Sequence, residues 1–205
     1  MAIETPFQRR PRLIYLHGFK SSPQSQKVTE LREWLAAHEL PIELVAPAVG
    51  FSPNEAIARI ERDIAASADR PCALMGSSLG GYYATVLGAR HNLRSVLINP
   101  AVAPYRLLRT YIGVQENLYT GERFEVEEAH MDELEAMDPG QLTQPRQFLV
   151  LLQSGDETLD YREAVMRYPQ SPQWIQPGGD HRFQNFTRTL PAALAFLGLL
   201  PGHTF

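Results

Sequence analysis

A chain of 205 residues with a net charge of -4 and one cysteine is long enough to bury the core of one domain without cross-links or structural metals. The mild acidity, and the lack of any basic run interleaved with aromatics, exclude a nucleic-acid binder. Cys72 cannot close an internal disulfide, no segment approaches the ~18 apolar residues of a membrane span, and Met1-Ala2-Ile3-Glu4-Thr5-Pro6 lacks the features of a secretory signal, so a soluble cytoplasmic protein with no membrane partner is expected.

Taken in chain order, Arg12–Leu16 reads as a strand that stops at His17-Gly18, with Arg9, Arg10 and Arg12 around its start forming a solvated arm. Ser22-Pro23 opens a helix, and Val28, Leu31, Trp34 and Leu35 recur at helical spacing on its apolar face. Residues 42–46 make the next strand. Ser52-Pro53-Asn54-Glu55 is a capping box that starts a helix with Ile57, Ile60 and Ile64 facing inward. Residues 72–75 are a buried strand, 79–89 a helix and 95–98 another strand. Strands and helices that alternate in this way build a mostly parallel sheet covered by helices on both faces.

The rhythm breaks between residues 101 and 146. Tyr105, Leu107, Leu108, Tyr111 and Ile112 form an apolar, helix-like patch. Residues 122–138 then carry eight acidic side chains against one basic, a composition that suits a solvated helical face. An insertion at about 102–146 is placed where a short helical cap over a pocket would sit, within a single domain spanning 1–205. The pattern resumes with a strand at 148–152, a helix capped by Asp160, a short strand at 173–175 and a last helix over 182–198, kinked at Pro191.

Gly76-Ser77-Ser78-Leu79-Gly80 lies between a buried strand and a helix, which is where a G-x-S-x-G turn would push a serine oxygen outward as a nucleophile. The plainer alternative is that Ser78 only caps the helix. A neutral hydroxyl needs a base beside it and a third group to orient that base. His181 follows Gly178-Gly179-Asp180 after the last strand and is the candidate base. His38 and His91 lie at helix ends, His130 in the acidic tract and His203 in the tail, while His17 is placed to shape its loop. Asp156, the first carboxylate after the strand at 148–152, is the candidate orienting acid. Asp160 is accounted for as a helix cap, and Glu157 and Asp180 remain rivals by adjacency. The backbone amides of Leu79 and Phe19 are candidates for holding a developing oxyanion. The order serine, acid, histidine is that of the α/β-hydrolase architecture.

Leu16-His17-Gly18-Phe19-Lys20-Ser21-Ser22-Pro23, Gly76-Ser77-Ser78-Leu79-Gly80-Gly81-Tyr82-Tyr83-Ala84, Leu97-Ile98-Asn99-Pro100-Ala101, Gln153-Ser154-Gly155-Asp156-Glu157 and Gly178-Gly179-Asp180-His181-Arg182-Phe183 together resemble the YqiA-like esterases, a family of small bacterial α/β-hydrolases. The resemblance runs from Arg12 to about Leu197. It implies a three-layer α/β-hydrolase fold and a cytoplasmic hydrolase of small or short-to-medium acyl esters. Its triad would be Ser78, Asp156 and His181, with no cofactor and no metal. The same triad would serve acyl-coenzyme A thioesters, and a third reading is a binding or scaffold protein that kept the fold without the chemistry. One departure stands out: many α/β-hydrolases carry glycine three residues before the acid, where this chain has Gln153.

Overall fold

In the computed structural model, which describes residues 9–200, six parallel strands form one sheet in the order β2-β1-β3-β4-β7-β8. They are β1 (Arg12–Leu16), β2 (Glu43–Val45), β3 (Cys72–Ser78), β4 (Ser95–Pro100), β7 (Phe148–Gln153) and β8 (Gln173–Gln176). Helices α1 (Gln26–Ala37), α2 (Pro53–Ala65), α3 (Leu79–His91), α6 (Tyr161–Arg167) and α7 (Leu190–Leu197) connect and follow them. Between β4 and β7 lie α4 (Pro104–Leu108), the antiparallel hairpin β5 (Gly113–Glu116) and β6 (Arg123–Val126), and α5 (Glu128–Met137).

The central strands carry the apolar runs 13–16, 73–75, 96–98 and 148–152 because both faces of the sheet are covered. Alternate residues divide between two cores. Leu13, Tyr15, Ala73, Met75, Val96 and Ile98 pack with Val28 and Leu31 of α1 and Leu190 and Leu194 of α7. Ile14, Leu16, Leu74, Leu97, Val150 and Leu152 pack on the other face with Ile57 and Ile60 of α2, Leu87 of α3 and Leu134 of α5. Each fully buried aliphatic side chain contributes roughly 1.5–3 kcal/mol. The result is the three-layer architecture that the strand rhythm predicts.

Several local expectations are corrected. Arg12 is not part of a solvated arm: it is buried in β1, donating to Glu43 Oε1 at 2.8 Å and to the Asp63 carbonyl at 3.1 Å. Ser22 does not open α1. Its hydroxyl accepts the Gln24 N–H in a separate turn, and the helix starts at Gln26. The last helix is also shorter than expected, because Phe183 and Asn185 take positive φ (60° and 56°) and a 3-10 turn, Phe186–Thr189, intervenes. Pro191 then stands in the first turn of α7 rather than at a kink, where its missing N–H costs nothing.

The acidic tract is not helical throughout. Its first part is β6, in which Phe124 and Val126 are buried while Arg123 and Glu125 face out. The turn before it is stabilised by the buried side chain of Asn117, which accepts the N–H groups of Tyr119 and Thr120 at 2.9 and 3.1 Å, a typical use of asparagine in turns. In α5 the acidic residues lie outside Met131, Leu134 and Met137, which are buried. No helix among the described residues is long and apolar enough to cross a membrane.

Candidate active site

Ser78 ends β3 and immediately precedes α3, with φ 54° and ψ -121°. A serine held there costs about 1–3 kcal/mol of backbone strain, which the surroundings must impose. They do so through close packing. A Cβ on Gly76 would lie 2.1 Å from the Gly80 carbonyl oxygen, and one on Gly80 would lie 2.0 Å from that of Leu16. The turn therefore closes only with hydrogen at both positions. The pairing of β3 with β4 also shifts register between Ser77 and Ser78, which lifts the serine out of the sheet's regular pleat.

The hydroxyl of Ser78 lies 3.1 Å from Nε2 of His181. On the other side of the ring, Nδ1 lies 2.8 and 3.0 Å from the two carboxylate oxygens of Asp156. A carboxylate only accepts hydrogen bonds, so Nδ1 carries the proton and Nε2 is left free to accept from the serine. The side chain of Asp156 is 2% exposed and that of His181 23%. Asp156 is itself held in place, because its Oδ1 accepts the N–H groups of Thr158 and Leu159 at 2.9 and 2.8 Å.

The rival carboxylates are engaged elsewhere. Glu157 accepts the backbone N–H of His181 at 2.9 Å, so it anchors the histidine's main chain rather than its ring. Asp180 Oδ2 accepts the side-chain amide of Gln184 at 3.0 Å. Asp160 caps α6 by accepting the Arg162 N–H. His38 bonds the Trp34 carbonyl, His91 bonds Glu61 and His130 caps α5 through Glu127; His203 lies outside the described residues.

Two further residues organise the histidine loop, and neither is singled out by sequence reasoning as part of a site. Gln153, 2% exposed, accepts the N–H groups of Asp180 and Gln184 through Oε1 at 3.1 and 2.9 Å. Its Nε2 donates to Gln176 Oε1 and the Gln184 carbonyl, both at 2.8 Å. Asn99 donates to the Asp180 carbonyl at 3.1 Å and accepts the Gln153 N–H at 3.0 Å. The departure at position 153 thus has a physical reason: the side chain that replaces glycine is the polar anchor of the loop. A Cβ on Gly179 would lie 2.0 Å from Gln153 Oε1, so the glycine at 179 makes room for that anchor. The available signal is a polar residue directly after the apolar runs of β4 and β7, Asn99 after Ile98 and Gln153 after Leu152.

Phe19 and Leu79 line the same cavity of about 250 Å³ as Ser78 and His181, together with Pro104, Leu107, Leu108 and Tyr111. Gly18 brings the Phe19 loop against the serine, since a Cβ there would stand 3.3 Å from Ser78 Cβ. His17 shapes this loop. Its Nδ1 donates to the Gly18 carbonyl at 3.0 Å and its Nε2 accepts the Val49 N–H at 3.4 Å, and burial holds its pKa below the usual histidine value, so it stays neutral. From the other side, Leu118 N–H donates to the Lys20 carbonyl at 3.0 Å and Asn117 to the Ser21 carbonyl at 2.9 Å. The β5–β6 turn is therefore fastened to the Phe19 loop.

A parallel sheet with a strained serine at the β3–α3 turn, followed in the chain by an acid after β7 and a histidine after β8, is the α/β-hydrolase fold. Within it the chain belongs to the Uncharacterised protein family UPF0227, the YqiA family, whose model matches residues 12–198. Among solved structures it is similar to Est1E from Butyrivibrio proteoclasticus, with a TM-score of 0.67 and 15% identity over 93% of this chain and 88% of that one. A monoacylglycerol lipase from Paleococcus ferrophilus is similar at TM-score 0.67 and 13% identity, over 92% and 97% of the two chains. Mouse alpha/beta hydrolase domain-containing protein 10 gives 0.67 and 16%, over 90% and 88%. At these identities the likeness is one of fold.

Proposed function

We propose that this chain is a serine esterase that cleaves short-to-medium acyl esters of small alcohols through an acyl-enzyme. The observation that carries this reading is the continuous hydrogen-bond path from Ser78 Oγ through both nitrogens of His181 to the buried Asp156. Ser78 attacks the ester carbonyl as His181 Nε2 takes its proton. The amides of Leu79 and Phe19 hold the tetrahedral oxyanion, with the start of α3 adding its dipole. The C–O bond to the alcohol then breaks as His181 returns the proton to the departing oxygen. Water, deprotonated by the same nitrogen, attacks the acyl-serine; the acid leaves and Ser78 regains its proton. Asp156 keeps the imidazole in the tautomer needed and balances its charge while it is protonated.

Residues 102–146 act in this reading as a cap built into a single domain, and the apolar side chains of Leu107, Leu108 and Tyr111 suit a hydrocarbon acyl group. Ser78→Ala is expected to lower p-nitrophenyl butyrate hydrolysis on the order of 10⁶-fold, with unchanged circular dichroism. It should also abolish covalent labelling by a fluorophosphonate. Wild-type turnover by purified Ser78→Ala, or labelling of the native protein at another residue, would reject the assignment.

A further inference from the structure

Two cavities meet at Phe19. The one that contains Ser78 and His181 has a volume of about 250 Å³, and a second, of about 540 Å³, lies between the Phe19 loop, residues 48–53 and the β6–α5 segment. Phe19, Lys20, Leu79 and Leu108 line both. The second cavity takes no part in the chemistry described above. Its lining has two parts: Val49, Tyr83, Met131 and Leu134 are buried members of the core on this face of the sheet, whereas Glu55, Arg59, Glu122, Glu125 and Glu127 are exposed and charged.

The Phe19 ring stands between an aromatic of each compartment. It meets Tyr111, which lines the smaller cavity, edge-on with centroids 5.5 Å apart, and Phe124, which lines the larger, at 5.9 Å and 85°. Phe124 is in turn stacked on Phe51 at 3.5 Å. This aromatic row holds the ring across the boundary. Such edge-to-face contacts contribute beyond the area they bury, so the ring is fixed by more than its own loop.

Building on the esterase reading, we propose that the Phe19 side chain sets the upper limit of acyl length. It closes the catalytic cavity off from a second compartment whose apolar wall fits the distal methylenes of a longer fatty-acyl chain. The residue then has two separable roles: its amide serves the oxyanion, and its ring serves chain-length selection. Removing the ring joins the compartments and lets an acyl chain pass over Leu79 and Leu108 toward Met131 and Leu134. Each methylene that enters apolar surroundings is worth up to about fourfold in kcat/KM.

The test is a series of p-nitrophenyl esters from acetate to decanoate, read as kcat/KM for the wild-type protein and for Phe19→Ala. The wild type is expected to fall off beyond the medium-length esters. In Phe19→Ala the decanoate-to-butyrate ratio should rise by at least about tenfold, a gain that needs only a few buried methylenes. Adding Met131→Trp to that variant refills the compartment and should return the ratio toward wild type. An unchanged ratio in a folded Phe19→Ala protein, or an equal loss on every ester, overturns the proposal. If Phe19→Ala proves unfolded by circular dichroism, the same ratio is read in Phe19→Leu, and no change there overturns it equally. Fluorophosphonate labelling of Ser78 in each variant separates this failure from failure of the esterase reading, which would abolish labelling in the wild type as well.

Discussion

In the esterase reading Gln153 is a positioning residue, holding the loop of His181 without touching a substrate. Its buried amide bonds the chain on either side of His181 at Asp180 and Gln184, and ties both to Gln176 on β8. Replacement by leucine keeps the bulk but leaves the Asp180 and Gln184 N–H groups without their acceptor, a desolvation cost of roughly 1–3 kcal/mol. A displacement of the imidazole near 1 Å is enough for about 100-fold in rate. Gln153→Leu is therefore expected to lower kcat by about 10- to 100-fold, with KM within about twofold of wild type and fluorophosphonate labelling slowed in proportion. Gln153→Glu keeps the Oε1 acceptor but sets a buried carboxylate oxygen against the Gln184 carbonyl, which the native Nε2 donates to, so it should rescue little of the loss. A leucine variant that is destabilised yet keeps its kcat would show that the glutamine only supports the fold. Ser78, Asp156 and His181 were legible in the sequence because each sits in a short local pattern with a chemical reason for its residue type. The roles of Gln153, Asn99 and Glu157 were not, although Glu157 stands as a rival acid and Gln153 as a departure, since what they do depends on partners that only the folded loops bring near.

At the scale of elements, legibility followed burial. Strands β1, β3, β4 and β7 announce themselves as unbroken apolar runs because they are covered on both faces, and α2 by its serine cap and proline. The β5–β6 hairpin does not, because its strands are four residues long and exposed on one side, and β6 lies in the charged tract. The period-two signal in Arg123-Phe124-Glu125-Val126 was present but short. The β3–α3 turn is the element on which the site depends, and its glycines differ sharply from others in what they tolerate. A Cβ on Gly80 would lie within 2.7 Å of the carbonyl oxygens of both Leu16 and His17, so Gly80→Ala must push α3 off β1. Gly121→Ala meets open space and pays only for its φ of 71°, about 1–2 kcal/mol. In thermal melts Gly121→Ala should lose a few degrees and keep activity. Gly80→Ala should lose more than about 3 kcal/mol, the range of backbone strain and overpacking together, and with it fluorophosphonate labelling. A Gly80→Ala protein with wild-type Tm would mean that the turn is looser than its packing implies.

The molecule as a whole hides half of its tyrosines. Four of the eight, Tyr15, Tyr82, Tyr83 and Tyr168, are at most 3% exposed. Tyr15 sits in the core beneath α1 and α7, and the other three in the core under α2, α3 and α6. Three of their hydroxyls tie neighbouring elements together: Tyr15 of β1 donates to Ser77 of β3 beside the serine turn, Tyr82 of α3 to the Leu134 carbonyl of α5, and Tyr168 after α6 pairs with Thr85 of α3. Desolvation pushes all four phenols upward, Tyr168 to about 12 and the others further. The direction decides the pH window. In the unfolded chain tyrosine ionises near pH ~10, so the native state, which keeps these protons, is not penalised below that value and loses stability above it. Each withheld ionisation costs about 1.4 kcal/mol per pH unit, and four together about 5 kcal/mol per unit, against a total stability of ~5–15 kcal/mol. The protein should therefore unfold cooperatively one to three pH units above ~10, with tyrosinate absorbance from the buried four rising in step with the loss of near-UV circular dichroism. Tyr168→Phe removes one of the four protons and should lower the dependence of stability on pH by about a quarter, as measured by urea titrations at successive alkaline pH values. If all eight phenols ionised while the near-UV signal stayed native, the two cores would have to be open enough to admit water to their centres.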